Sequence, residues 1–231
     1  MLKAINMTLP MKHPFSAIVA GPSMAGKSQW IGQLLANVSS MVDPAPDKIY
    51  ICYKEWQPLY NKFTNVEFVE GMINIDLLDK KIKKLVVFDD MMEQVSEEIA
   101  EVFTKFVHHR NLSAIFITQN IFHKSSHLRT MNLNSSYLVL FKNPRDANQI
   151  SYLARQMYPA GQSRFMLDAF KDATSVPYGY LFVDLKQDTY DLLRLRTGVF
   201  PRDKTYIYMP KSASSSLQHY TLSKTDHEQK S

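Results

Sequence analysis

Eight residues, GPSMAGKS at positions 21–28, constrain the fold of this 231-residue chain more than any other stretch. They fit the pattern G-x-x-x-x-G-K-[ST] in full. The flanks are those the pattern requires. FSAIVA (15–20) reads as a short buried strand before it. SQWIGQLLANV reads as a helix after it, with Trp30, Ile31, Leu34 and Leu35 on its apolar side. A strand, a glycine-bearing loop and a helix in that order can wrap a phosphate chain. Backbone N–H groups line the loop, glycines stand where a side chain would block approach, and the helix N-terminus adds partial positive charge. The nucleotide-binding set is therefore Gly21, Pro22, Ser23, Met24, Ala25, Gly26, Lys27, Ser28 and Gln29. Lys27 would reach the β- and γ-phosphates of ATP, and Ser28 would ligate Mg²⁺.

A second carboxylate-bearing strand supports this reading. KKLVVFDDMM (83–92) is an apolar run ending in two acids, as in a strand buried on both faces. Asp89 would emerge at the carboxyl edge of the sheet, where ligands sit in open α/β folds, and join the Mg²⁺ shell directly or through water. Asp90 would orient and deprotonate the attacking water, with Glu93 a weaker candidate for the same role. A further buried run, SAIFITQN (113–120), ends in Gln119 and Asn120. Gln119 could sense the γ-phosphate or position the water, or it could satisfy loop backbone.

The rest of the chain reads as alternating elements. KIYICYK (48–54), EFVE (67–70) and YLVLFK (137–142) are strand-like. SEEIAEVFTKFVHHR (96–110) reads as a helix capped by Ser96, with Ile99, Phe103, Phe106 and Val107 as its buried stripe. Helices are expected at 146–158 and 163–173, and a late antiparallel hairpin from 179–185 and 191–200. The expected fold is α/β: a P-loop NTPase with a mostly parallel central sheet flanked by helices. One additional strand (48–54) lies between the phosphate-loop strand and the Asp89 strand, which points to the RecA-like additional-strand type. N-K-x-D, D-x-x-G and L-S-G-G-Q are missing, against a GTPase or an ABC-type enzyme, and no arginine-rich kinase lid is visible. Residues 1–210 are expected to form one ATPase domain, and the polar, Ser-rich residues 211–231 a disordered tail.

Composition enters through charge. The chain carries 27 Lys+Arg against 22 Asp+Glu, a net charge of +5. All of the excess lies in residues 101–155: Lys105, Arg110, Lys124, Arg129, Lys142, Arg145 and Arg155 against Glu101 and Asp146. His108, His109, His123 and His127 lie there too. A confined basic excess suggests a polyanionic partner, although a solvated surface would look the same. The lone Cys52 excludes a disulfide-stapled fold and fits a reducing compartment. No run is long and apolar enough to span a bilayer, and the N-terminal residues lack the apolar stretch of a signal peptide.

Four blocks in order, GPSMAGKS, LVVFDDMM, HHRNLSAIFITQN and LVLFKNPRDANQISYLARQMYP, resemble the packaging ATPases of the FtsK–HerA superfamily. The similarity spans about residues 13–185 and is greatest to the compact forms in large eukaryotic DNA viruses, poxvirus-like, and in Polinton/Maverick and adintovirus-like elements. One departure is Asp90, where many relatives carry glutamate. The resemblance implies ATP-driven translocation of double-stranded DNA into a preformed capsid. It also implies a homo-oligomeric ring, pentamer or hexamer, docked on a capsid or portal-like vertex protein. Its setting would be the host nucleus or a viral assembly site, or transiently the virion. In such a ring a neighbour's arginine completes each ATP site, and Arg110 and Arg145 are the candidates, with Arg145 slightly favoured because Pro144 stiffens its approach. Lys124 and Arg129, with His123 and His127, could contact DNA phosphates without reading sequence, or form an ordinary basic helix. Two other functions remain open on sequence: a P-loop kinase acting on a nucleotide or small molecule, and a nucleotide-gated binding module.

Overall fold

A computed structural model describes residues 2–5, 9–91, 97–121, 125–145, 148–158 and 162–210. The chain runs β1 (Leu2–Ile5), β2 (Met11–Lys12), β3 (Ser16–Ala20), α1 (Lys27–Ala36), α2 (Val38–Met41), β4 (Val42–Asp43), β5 (Lys48–Tyr53), β6 (Glu67–Glu70) and β7 (Lys84–Asp89). It continues α3 (Glu97–Glu101), α4 (Val107–His109), β8 (Leu112–Thr118), α5 (Ser126–Leu133), β9 (Tyr137–Phe141), α6 (Asn148–Met157) and α7 (Ser163–Ala173). It closes with β10 (Tyr180–Asp184), β11 (Leu195–Thr197) and β12 (Thr205–Tyr208). A π-helical turn, Val102–Phe106, joins α3 to α4. The expected helix over 96–110 is therefore present with a widened middle turn; its Ser96 cap lies outside the described residues, as does the tail at 211–231.

Ten strands form one sheet in the order β1-β12-β11-β10-β9-β3-β8-β7-β5-β6. From β9 to β6 the pairs are all parallel; from β10 to β1 they are all antiparallel. Strand periodicity splits each apolar run between two cores. Ala17, Val19, Leu85, Val87, Ile115 and Ile117 face the side covered by α1 through Trp30, Ile31, Leu34 and Leu35. Ile18, Ala20, Val86, Phe88, Ala114 and Phe116 face the other side, against Ile99, Phe103 and Val107 of the α3–α4 helix and against α5, α6 and α7. Phe106 of the expected stripe is only partly buried.

The parallel sheet with helices on both faces and an antiparallel edge is the expected fold class. Lateral order differs from chain order. The strand between β3 and β7 is β8, not the 48–54 strand, which lies beyond β7 as β5. All seven residues of β8 are buried, which demands a neighbour on each side, whereas β6 is half exposed and takes the edge. The late hairpin is also larger than expected. Phe182 pairs with Arg196, but Asp191–Leu193 forms a 3₁₀ turn, and β12 and the N-terminal β1 extend the ribbon.

Candidate functional site

The carboxyl ends of β3, β8 and β7 lie side by side, so the turns after them share one edge of the sheet. The turn after β3 is the glycine loop. The Gly21 amide donates to the Thr118 carbonyl at 3.1 Å, tying the loop to β8. A Cβ at Gly21 would lie 2.6 Å from Phe141 Cβ, so only glycine fits. Gly26 caps α1 with φ of 106°, and Met24 also has positive φ, 62°. The Lys27 ammonium donates to the carbonyls of Gly21 at 2.7 Å and Pro22 at 2.9 Å and so closes the loop on itself.

A cleft of about 230 Å³ opens beside this loop. Lys27, Ser28, Asp89, Asp90 and Gln119 line it, from three different strand ends. Asp89 is buried, at 5% exposure, and ends β7. Asp90 follows with φ of 55°, which turns the chain out of the strand and leaves its side chain exposed. Burial raises the pKa of Asp89 above the ordinary carboxyl range; a hydrogen bond from Tyr60 opposes this, Asp90 reinforces it, and Lys27 pulls it down. Burial depresses the Lys27 ammonium, and Asp89 and Asp90 counter it.

Two members of the site carry no sequence signature. The Tyr60 hydroxyl donates to Asp89 Oδ2 at 2.7 Å, and Gln57 Nε2 stands 3.5 Å from the same oxygen. Both come from the turn after β5, Tyr60 from a 3₁₀ segment at Pro58–Lys62. Tyr60 is held among the rings of Tyr53, Trp56, Phe63 and Phe68, with centroids 5.4–6.0 Å away. The aromatic run after KIYICYK hints at packing but not at contact with a carboxylate 29 residues on.

The donor set fits a hard divalent cation. Asp89 supplies a carboxylate held in place by Tyr60, Ser28 supplies a hydroxyl across the cleft, and Lys27 leaves the cleft able to take further anionic oxygens. Among the described residues no cluster of three His, Cys, Asp or Glu side chains could hold a metal alone, so phosphate oxygens would complete the shell.

The other candidates are scattered. Gln119 is exposed at the cleft, and Asn120 caps back through its amide onto Thr118 Oγ1 at 3.2 Å. Arg145 is exposed beyond β9, on the loop's edge of the sheet, with its amide bonded to Asn143 Oδ1 at 3.1 Å. Arg110 precedes β8 and so lies at the opposite edge. Its guanidinium pairs with Asp76, reaches the Ile75 carbonyl at 3.3 Å and stacks 5.1 Å over Phe106. These contacts hold Arg110 against its own chain. Arg129 is exposed on α5, with His127 half-buried beside it. Glu93, His123 and Lys124 lie outside the described residues.

No protein-family model matches the chain, and no curated protein matches it in sequence. Solved structures match in fold. The genome packaging NTPase B204 from Sulfolobus turreted icosahedral virus 2, in complex with ATP-γ-S, is similar with a TM-score of 0.52 and 16% identity, over 76% of this chain and 95% of that one. The DNA-packaging ATPase B204 from Sulfolobus turreted icosahedral virus gives 0.51 and 14%, over 78% of this chain and 96% of that one. At such identities the likeness establishes the fold, that of a P-loop NTPase.

Proposed function

We propose that this chain is a Mg²⁺-dependent ATPase that drives double-stranded DNA into a preformed capsid. One observation carries the catalytic part: Lys27, Ser28, Asp89, Asp90 and Gln119 converge on a single cleft at the carboxyl edge of the sheet. The loop amides and the α1 N-terminus hold the phosphates of ATP. The Lys27 ammonium leaves the Gly21 and Pro22 carbonyls for the β- and γ-phosphates. Ser28 and Asp89 would hold a Mg²⁺ ion, which when bound would supply positive charge to the phosphate oxygens. Gln119 orients a water in line with the γ-phosphorus. Asp90 accepts its proton as the new P–O bond forms and the bond to the β–γ bridging oxygen breaks, leaving ADP and free phosphate. Asp90 is the exposed member of the acid pair and lines the cleft, while buried Asp89 is fixed by Tyr60.

The motor part rests on the two B204 enzymes of the same fold, described as packaging enzymes, and on the family resemblance of the four sequence blocks. In the proposed ring Arg145 of one subunit reaches the neighbour's γ-phosphate, and Lys124 and Arg129 contact the DNA backbone. Residues 1–210 form the ATPase unit, the ring docks on a capsid vertex, and packaging takes place in the nucleus or at an assembly site. The test is ATP hydrolysis with and without duplex DNA, together with the native mass. Stimulation by duplex DNA in an assembled ring, lost in Lys27→Ala, is the expected result. Hydrolysis by an assembled ring that ignores DNA would overturn the motor reading.

A further inference from the structure

The cleft accounts for one flank of the glycine loop only. The sheet order β7-β8-β3-β9-β10 places Asp89 and Gln119 on one side of the loop, and the ends of β9 and β10 on the other. On that second side stands Tyr178. Its Cδ1 and Cβ lie 3.1 and 3.3 Å from the point where a side chain at Gly26 would begin, so the ring rests on the loop itself. Yet Tyr178 is 62% exposed. Three large aromatic side chains are comparably exposed among the described residues, Trp56, Tyr152 and Tyr178, and Tyr178 is the one against the loop.

Its backbone is held in an uncommon state. Tyr178 has φ of 61°, a region that bulky residues enter at a cost. The next residue enforces the turn: a Cβ at Gly179 would lie 2.4 Å from the Ala173 carbonyl oxygen and 2.9 Å from that of Val176. The Gly179 amide donates to the Val176 carbonyl at 3.0 Å, and Tyr180 then pairs with Phe141 at the end of β9. The turn from α7 into β10 thus presents an aromatic ring, at conformational cost, beside a phosphate-binding loop.

We infer that Tyr178 is the stacking platform for the nucleobase of the bound nucleotide, an assignment that rests on the ATPase reading above. With the γ-phosphate at Asp89 and Gln119 and the middle phosphates in the loop, the nucleoside leaves on the flank where Tyr178 stands. A planar base would cover the exposed ring face, which explains an aromatic at a position that favours Asn or Gly.

The test compares ATP with inorganic tripolyphosphate, both with Mg²⁺, by calorimetric titration of the full chain, wild type, Tyr178→Phe and Tyr178→Asn. Asparagine tolerates positive φ, so the turn survives while the ring is lost. Tyr178→Asn is expected to weaken ATP by about 5- to 150-fold, the usual loss for one stacked base, and to leave tripolyphosphate within about twofold. Tyr178→Phe is expected to bind ATP like wild type. Parallel weakening of both ligands would mean that the ring merely shapes the loop, and would overturn the inference. So would unchanged ATP affinity accompanied by an altered native mass, which would mark a subunit contact. A wild type that binds neither ligand would overturn the ATPase reading itself, and with it this inference.

Discussion

Replacing Tyr60 with phenylalanine removes one oxygen from the most buried corner of the site. The ring stays in place, because its packing against Tyr53, Phe63 and Phe68 does not involve the hydroxyl. Asp89 then loses its short donor, and Gln57 at 3.5 Å is too distant to replace it. A hydrogen bond to a charged group is worth about 1.5–3 kcal/mol. At neutral pH in metal-free buffer Tyr60→Phe should therefore destabilise the chain by about that much, or roughly 3–12 °C in Tm at about 2–4 °C per kcal/mol. The pH dependence has a definite sign. Burial already raises Asp89 in the folded state, and loss of the hydroxyl raises it further. A raised carboxyl costs stability as pH climbs from its unfolded value near 3.8 through its folded value. The difference between variant and wild type should be largest at pH 7. It should shrink toward pH 4, where Asp89 is increasingly protonated and a neutral bond of about 0.5–1.5 kcal/mol is all that remains. Urea melts of both proteins across pH 4–7 measure this. A cost that is absent at pH 7, or the same at every pH, would refute the view that Tyr60 holds an anionic Asp89.

Three further outcomes follow from other corners of the molecule. Gly21→Ala should cost about 1–3 kcal/mol in a thermal melt, because its Cβ would overlap Phe141 Cβ, whereas Gly71→Ala meets no atom within 4 Å and suffers only from its φ of 79°. Arg196→Met should destabilise by about 3–5 kcal/mol in denaturant, because it strips buried Asp184 of a 2.8 Å guanidinium partner and leaves Thr189 Oγ1 as its remaining short side-chain donor. Burial pushes the Cys52 thiol up to about 11 from 9.0, so its reaction with Ellman's reagent at pH 8 should be about 100-fold or more slower in the native chain than in urea.

The parts of the site that the sequence reveals are those whose chemistry and position coincide within a few residues. GPSMAGKS needs its glycines and lysine in fixed local order, and LVVFDD must end where its acids meet water. Lateral order in the sheet has no such local code. The pattern of 48–54 is as strand-like as that of 113–120, and only complete burial of β8 sends it to the centre. β1 and β12 leave no local sequence signal, because each is four residues long and their pairing spans the chain from Leu2 to Tyr208. Tyr60, Gln57 and Tyr178 act through contacts with residues distant in sequence, which spacing cannot reveal. The basic excess of 101–155 is narrower than its composition implied. Lys105 pairs with Glu101, Arg110 with Asp76, and Arg155 Nε bonds the Ser151 carbonyl at 3.1 Å. Among the described residues of this stretch, Arg129, Lys142 and Arg145 stay exposed with no ion pair and can meet an external phosphate; Lys124 lies outside the described residues.

The most direct test is the release of free phosphate from ATP at saturating Mg²⁺ by the wild type, Lys27→Ala and Asp90→Asn. Wild-type turnover should yield one phosphate per ADP. Lys27→Ala should abolish it, and Asp90→Asn, which keeps the shape but cannot accept the proton, should slow it by about 10²–10⁴-fold. A wild type at background, a phosphorylated acceptor in place of free phosphate, or an Asp90→Asn enzyme at full rate would contradict the assignment of this cleft.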